Sequence, residues 1–208
     1  MKFFDPNSKF AQVMTSVGEM MLLNLCWIIG SLPLITIGAS NVAMYTVMGR
    51  RLRQESNGTI IPFFRAWWSN LKMGILFWVS QAAVTVCMGM IFFLPLPLFL
   101  KVVAAVLLIL VTTLFGTIYP QIARFRNRAF AYLRNSLILL VLKLKWVLLN
   151  LLLILSPVLL FLIAPYEMLQ LGFIWILFGF SLIFFLSAEI MQKVLEPLEE
   201  LGAHRKAR

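Results

Sequence analysis

Two polar residues, Glu19 and Asn24, lie within the first apolar segment and are the first candidates for chemistry. An ionisable group surrounded by hydrocarbon is costly and often functional, so Glu19 could carry a proton or hold a polar ligand. Asn24 follows five residues later in the same apolar segment and would extend such a site. Alternatively, Glu19 lies near a membrane interface and pairs with Lys9 or with an arginine. The sequence leaves both interpretations open.

The sequence contains no pattern typical of an enzyme. Its single histidine, His204, lies in the polar C-terminal segment, and neither Cys26 nor Cys87 has a second ligand at the spacing of a metal site. A phosphate-binding loop and a glycine-rich dinucleotide-binding turn are also missing from the sequence. We therefore expect a protein that is not an enzyme and that has no catalytic residues, metal site or cofactor.

The composition indicates which solvent surrounds the chain. Of its 208 residues, 62% are hydrophobic and only 12% are charged, whereas soluble domains are about half apolar and about a quarter charged. The lipid bilayer is therefore the expected surrounding. Solid apolar blocks favour helices over the alternating pattern of a β-barrel. We expect an all-α, polytopic membrane helical bundle that forms a single transmembrane domain over residues 1–208.

Apolar segments predict six transmembrane helices, of which five reach the roughly 20 residues that a crossing needs and one, 38–53, is short and would be accommodated by a thinner bilayer or by tilt. Their approximate bounds are 10–32, 38–53, 73–94, 99–120, 143–164 and 168–189. Pro33 and Gly38 divide the uncharged run 20–49 into two helices, because Pro33 ends a helix and Gly38 relaxes the backbone at the turn. The alternative has five transmembrane helices, with a kinked or re-entrant first element.

The basic residues predict the orientation of these helices. The net charge is +10, and most Lys and Arg residues lie near residues 50–72, near 124–145, or in a C-terminal tail over 193–208. Positively charged loops stay on the cytoplasmic side, so we expect a multi-pass plasma-membrane protein with both termini in the cytoplasm. Nucleic acid is not an expected partner, because no soluble basic domain exists to bind it.

Two cytoplasmic segments, 60–72 and 121–135, combine aromatic and basic residues at helical spacing, which is typical of helices in the headgroup layer. Their expected interfacial anchors are Arg65, Trp67, Trp68, Lys72, Arg124 and Arg128. The segments are either an ordinary aromatic belt with positive anchors or a docking surface for a partner. Each precedes a spanning helix, which suggests a loose internal repeat.

The segment NLCWIIGSLPLITIGAS, residues 24–40, resembles the hallmark of the YesL-like membrane proteins, a family described as a domain of unknown function. The matching positions are Asn24, Pro33, Thr36 and Gly38. The segments PFFRAWWSNLKMG and IYPQIARF resemble two further landmarks of that family.

The resemblance implies a multi-spanning membrane protein of Gram-positive bacteria, from a family whose genes often lie beside those for sugar ABC importers. It thus implies an integral membrane accessory protein associated with a carbohydrate ABC importer, with ABC permease subunits and the lipid bilayer as partners. The alternative is a small-solute transporter or permease in its own right, because interrupted helices often frame substrate sites.

Overall fold

The computed structural model describes residues 9–55 and 58–206, and the side chains of residues 10–55 and 58–195. Its helices are α1 (Lys9–Ser31), α2 (Ile37–Leu52), α3 (Ile60–Ser69), α4 (Leu71–Phe93), α5 (Leu98–Arg124), α6 (Ala129–Leu142), α7 (Leu144–Ile163), α8 (Pro165–Gln170), α9 (Gly172–Ile174) and α10 (Phe180–Lys206). A 3-10 turn (Leu34–Thr36) precedes α2, and a π-helical turn (Trp175–Gly179) joins α9 to α10. The predicted all-α polytopic helical bundle is confirmed.

The long helices form three antiparallel hairpins. In the first, α1–α2, Trp27 bonds to Asn41 near the turn, and Glu19 pairs with Arg51 at the opposite end. The second is α4–α5. The third is α7–α10, where α8 and α9 form the connection.

The short helices α3 and α6 link the three hairpins in sequence. A single non-helical residue, Asn70 or Lys143, separates each short helix from the long helix that follows it. The predicted pairing of a short helix with a following long helix therefore occurs twice in the fold.

The core lies around α2, the second helix of the first hairpin. This helix contacts α1, α3, α4, α5 and α10. Its apolar side chains with at most 2% exposure are those of Ala39, Val42, Ala43, Met44, Val47 and Met48. The return helices of the other two hairpins, α5 and α10, also pack against α2, so the three return helices meet at the centre of the bundle.

In the part of the chain that the structure describes, five helical segments are long and apolar enough to cross a membrane. They are Phe10–Ser31, Leu71–Phe93, Leu98–Arg124, Leu144–Ile163 and Gly172–Leu195. The helix α2 has only 16 residues, which is fewer than the roughly 20 residues that a full crossing needs.

The α1–α2 turn lies beside the middle of α4 rather than beside its end. Leu34 and Ile35 line a shallow apolar groove together with residues 78–87 of α4, and the Leu34 side chain is 74% exposed. An exposed apolar turn at this depth suits hydrocarbon better than water. The first hairpin therefore has the dimensions of a re-entrant element, in which α2 returns before the far end of α4.

The second predicted interfacial segment, 121–135, is not one helix. Residues 121–124 complete α5, the chain is non-helical over 125–128, and α6 begins at Ala129. The Tyr132 hydroxyl donates to the Phe125 carbonyl (2.7 Å) and accepts from the backbone N–H of Asn127 (3.0 Å). This tertiary bridge stabilises the bend, and it separates Arg124 and Arg128, which we expected one turn apart on the same helix.

The segment 193–208, which we expected to form a separate C-terminal tail, is helical over most of its length, because α10 continues to Lys206. Val194 and Leu195 are buried in the bundle, and the Lys193 ammonium lies 4.7 Å from the ring centroid of Trp146. His204, like the other tail residues beyond 195, lies outside the residues whose side chains are described. The N-terminal residues 1–8, on which part of the predicted orientation rests, are outside the described residues altogether.

Candidate functional site

The α1–α2 turn is stabilised by polar contacts to one carbonyl group. Pro33 cannot donate a backbone hydrogen bond, and the last carbonyls of a helix need partners from elsewhere. The Thr36 hydroxyl oxygen lies 2.7 Å from the carbonyl oxygens of both Gly30 and Pro33. The indole N–H of Trp67, on α3, donates to the same Gly30 carbonyl over 3.2 Å. Thr36 and Trp67 therefore cap the end of α1 where water has little access.

Gly38 lies in the first turn of α2, where α2 crosses α4 and meets Gly74. Its backbone is helical. Gly38 is therefore not the flexible joint that we expected. Its small size allows the backbones of the two helices to touch, as small residues do at helix crossings in membranes.

Asn24 is fully buried and binds the π-helical turn before α10. Its amide nitrogen donates to the carbonyls of Trp175 (3.2 Å) and Ile176, and its oxygen accepts from the backbone N–H of Ser181 (2.8 Å). A π-helical turn disturbs the regular hydrogen-bond ladder of a helix. Asn24 provides hydrogen-bond partners for backbone groups at this turn, so its own polar atoms are already bonded to the protein.

Glu19 lies 2.7 Å from the Arg51 guanidinium, and both side chains are partly exposed. This geometry matches the second interpretation of Glu19, in which its carboxylate pairs with an arginine. Glu19 therefore faces α2, whereas Asn24 faces α10. The structure does not bring these two residues together into the joint polar site that the sequence suggested.

A second buried polar cluster connects α2, α7 and α10. The hydroxyls of Tyr45 and Ser187 lie 2.6 Å apart, and Ser187 donates to the Asn150 side-chain oxygen. The sequence did not predict this cluster. Its only signal was the presence of isolated polar residues within apolar helices, which does not reveal which of them meet.

An interior cavity of about 210 Å³ lies near the centre of the bundle. Its aromatic lining comprises Trp27, Tyr45, Trp78, Tyr119, Phe180 and Phe184. Two amide side chains, Asn41 and Gln81, also line it. Their oxygens accept hydrogen bonds from Trp27 (2.9 Å) and Tyr119 (2.8 Å), which leaves the two amide N–H₂ groups to donate to a molecule in the cavity.

A larger pocket of about 530 Å³ opens between α2, α3, α5 and α6. Four of its lining residues, Arg50, Arg65, Arg124 and Arg126, are arginines, and we call it the basic pocket. A neighbouring pocket of about 250 Å³ shares two of these arginines and adds Arg53 and Glu55.

The carboxylate beside the basic pocket belongs to Glu55, in the loop after α2. Arg53 donates to Glu55 over 3.1 Å. This hydrogen bond lowers the pKa of Glu55, and the nearby charges of Arg53, Arg124 and Arg50 lower it further. Glu55 is therefore ionised at neutral pH and is engaged with Arg53.

The expected interfacial anchors do not share one surface. Arg65 and Arg124 line the basic pocket, and Trp67 points inward to the α1–α2 turn. Trp68 and Arg128 are exposed, and Lys72 belongs to α4 rather than to α3. Sequence spacing thus placed these residues near one end of the bundle but did not reveal their different surroundings.

Within residues 10–55 and 58–195, no group of three His, Cys, Asp or Glu side chains could hold a metal ion. Comparison with curated proteins and with solved structures finds no match. Residues 20–94 match the model of a family described as Protein of unknown function, DUF624. The matched segment contains the capped turn, the Gly38–Gly74 crossing, α3 and α4. This match to a family of unknown function agrees with the YesL-like resemblance of the sequence.

Proposed function

We propose that this protein is an integral membrane accessory protein associated with a carbohydrate ABC importer. The YesL-like resemblance supports this assignment, because genes of that family often lie beside genes for sugar importers. The protein would bind the permease subunits or stabilise their assembly. It would contact them through the outer faces of its helices and through the short helices α3 and α6.

The observation that carries this proposal is that buried polar side chains form hydrogen bonds within the protein. Asn24 binds the backbone at the start of α10, Thr36 caps α1, and Ser187 bonds to both Tyr45 and Asn150. Such contacts join helices into a firm scaffold. A scaffold with exposed aromatic side chains on its linking helices, Trp68 and Phe130, is suited to binding another membrane protein.

The distribution of basic residues supports a cytoplasmic location for one end of the bundle. Arg50, Arg51 and Arg53 lie at the end of α2, and Arg124 lies at the end of α5. Under the positive-inside rule, this end would face the cytoplasm of a plasma membrane. The linking helices α3 and α6 would then lie on the side where an ABC importer binds its ATPase subunits.

The proposal is tested by deleting the gene and measuring oligosaccharide uptake, and by purifying the tagged full-length protein in mild detergent. We expect reduced uptake and co-purification of permease subunits. The variant W68A/F130A should lose the permease, whereas F93A, which removes an exposed aromatic ring at the end of α4, should retain it. Unchanged uptake together with no co-purified permease would exclude the proposal.

A second candidate function is small-solute transport, and the interior cavity favours it. Aromatic rings and two available amide donors, from Asn41 and Gln81, are a combination that can hold a small polar molecule with apolar faces. The interrupted first hairpin, which lies beside this cavity, is a further feature of transporters.

Reconstitution in liposomes separates the two functions. Sugar flux through the purified protein without any ABC component would support transport. That flux should fall in N41L and Q81L but not in S80A, a change on the exposed neighbour of Gln81. If the purified protein carries no flux, the accessory role is favoured.

A further inference from the structure

We infer that the basic pocket binds a phosphate group, carried either by the headgroup of an anionic membrane lipid or by a phosphorylated solute. This inference does not depend on the association with an importer. It rests on the position, charge and walls of the pocket.

The four arginines reach the pocket from three separate parts of the chain. Arg50 comes from the end of α2, Arg65 from α3, Arg124 from the end of α5, and Arg126 from the bend before α6. Such convergence is a product of the tertiary fold and brings like charges together, which is unfavourable unless an anion compensates for them. The volume, about 530 Å³, lies within the range of small-molecule sites.

Two acidic residues at this end of the bundle are paired with arginines that do not line the pocket. Glu55 accepts a hydrogen bond from Arg53, and Glu19 pairs with Arg51. Among the described residues, none that lines the basic pocket is acidic. Glu55 offsets part of the charge of Arg50 and Arg124, so an anion that enters the pocket meets the net positive potential of four arginines and one nearby carboxylate. Guanidinium groups bind phosphate oxygens through paired, charge-assisted hydrogen bonds, so phosphate is the anion that best matches this lining.

The walls of the pocket add neutral polar groups and an apolar side. Asn127 supplies a side-chain amide that can donate to phosphate or glycerol oxygens, whereas Ser69 and Asn70 also line the pocket but donate to the Ala66 carbonyl. Pro62 and Met73 form part of the apolar lining. Basic pockets between helices at the cytoplasmic membrane surface are typical sites for anionic lipid headgroups.

The test uses the purified full-length protein in nanodiscs made from phosphatidylcholine with or without phosphatidylglycerol. Lipid retention is measured by native mass spectrometry. The pocket variant is R65Q/R126Q, which changes two exposed side chains. The charge-matched control is R128Q/R134Q, whose side chains are exposed and do not line the pocket. A parallel experiment adds inorganic phosphate or glycerol phosphate to protein in neutral detergent and measures its melting temperature.

We expect phosphatidylglycerol to be retained in preference to phosphatidylcholine, with this preference reduced at least about tenfold in R65Q/R126Q and unchanged in R128Q/R134Q. That result supports the inference with a lipid source. Stabilisation by soluble phosphate that is lost only in R65Q/R126Q, without a lipid preference, supports it with a solute source. Equal retention of both lipids and no effect of phosphate would overturn it, as would equal losses in the two double variants.

Discussion

Gly38 and Gly74 are in direct backbone contact where α2 crosses α4. An ideal Cβ atom on Gly38 would lie 2.1 Å from the Gly74 carbonyl oxygen, and one on Gly74 would lie 2.4 Å from the Ala39 nitrogen. Neither backbone can accommodate an added methyl group without moving. This contact therefore fixes the distance between the central helix of the bundle and the first helix of the second hairpin.

The close approach of α2 and α4 can be tested by adding a methyl group at either glycine. G38A and G74A should each destabilise the protein by about 3 kcal/mol or more, because overpacking against backbone forces the two helices apart. Denaturation in detergent, followed by fluorescence, measures the change. G89A is the matched control on α4, since an added Cβ there meets nothing within 4 Å. Equal stability of G38A and G89A would show that the helices do not touch here.

The cap on the Gly30 carbonyl can be tested by removing its two donors, Thr36 and Trp67. T36V or W67F alone should cost about 1 kcal/mol, because the other donor remains. The double variant should cost more than the sum of the single variants, by about 0.5–3 kcal/mol, because the carbonyl then has neither donor. W68F, a change at the exposed neighbouring tryptophan, should be neutral. Strict additivity in this double-mutant cycle would argue against a shared acceptor.

Asn24 should be needed for stability rather than for ligand binding. N24L leaves the carbonyls of Trp175 and Ile176 and the N–H of Ser181 without their partner, which should cost about 1–3 kcal/mol. T15V provides the control, because the Thr15 hydroxyl bonds only to Ala11 on the same helix. A stable N24L protein that fails in uptake assays would instead assign Asn24 a functional role.

The Glu19–Arg51 pair should contribute little energy and no activity. Since both side chains are partly exposed, E19Q should lower stability by about 1 kcal/mol at most. The charge-reversed variant E19R/R51E should recover the loss. Importer association and uptake should be unchanged in both proteins. Loss of uptake with intact stability in E19Q would revive the interpretation of Glu19 as an intramembrane functional group.

The depth of the α1–α2 turn can be measured by cysteine labelling in intact cells. In a background lacking Cys26 and Cys87, L34C should not react with a membrane-impermeant maleimide, because the thiol is surrounded by lipid and cannot form the reactive thiolate. L94C, in the turn between α4 and α5, should react from outside. If L34C reacts as readily as L94C, the first hairpin crosses the whole membrane.

Local features of the sequence were sufficient for much of the fold. The ends of most long helices lie within about three residues of their predicted bounds, since apolar run length and proline positions act locally. The bend at 125–128 was not predicted, because the Tyr132 side chain that stabilises it bonds across the bend to Phe125 and Asn127. The extent of α10 was also missed, because tertiary packing buries Val194 and Leu195.

By itself, the sequence determined that this is a helical membrane protein, where its first helix breaks, and which end carries the positive charge. These properties depend on composition and on neighbours along the chain. Only the tertiary structure decided what the motif residues do: Asn24 binds Ser181, and Gly38 touches Gly74. It also decided that four arginines would share one pocket. Such contacts arise from packing between helices far apart in sequence, which no local pattern specifies.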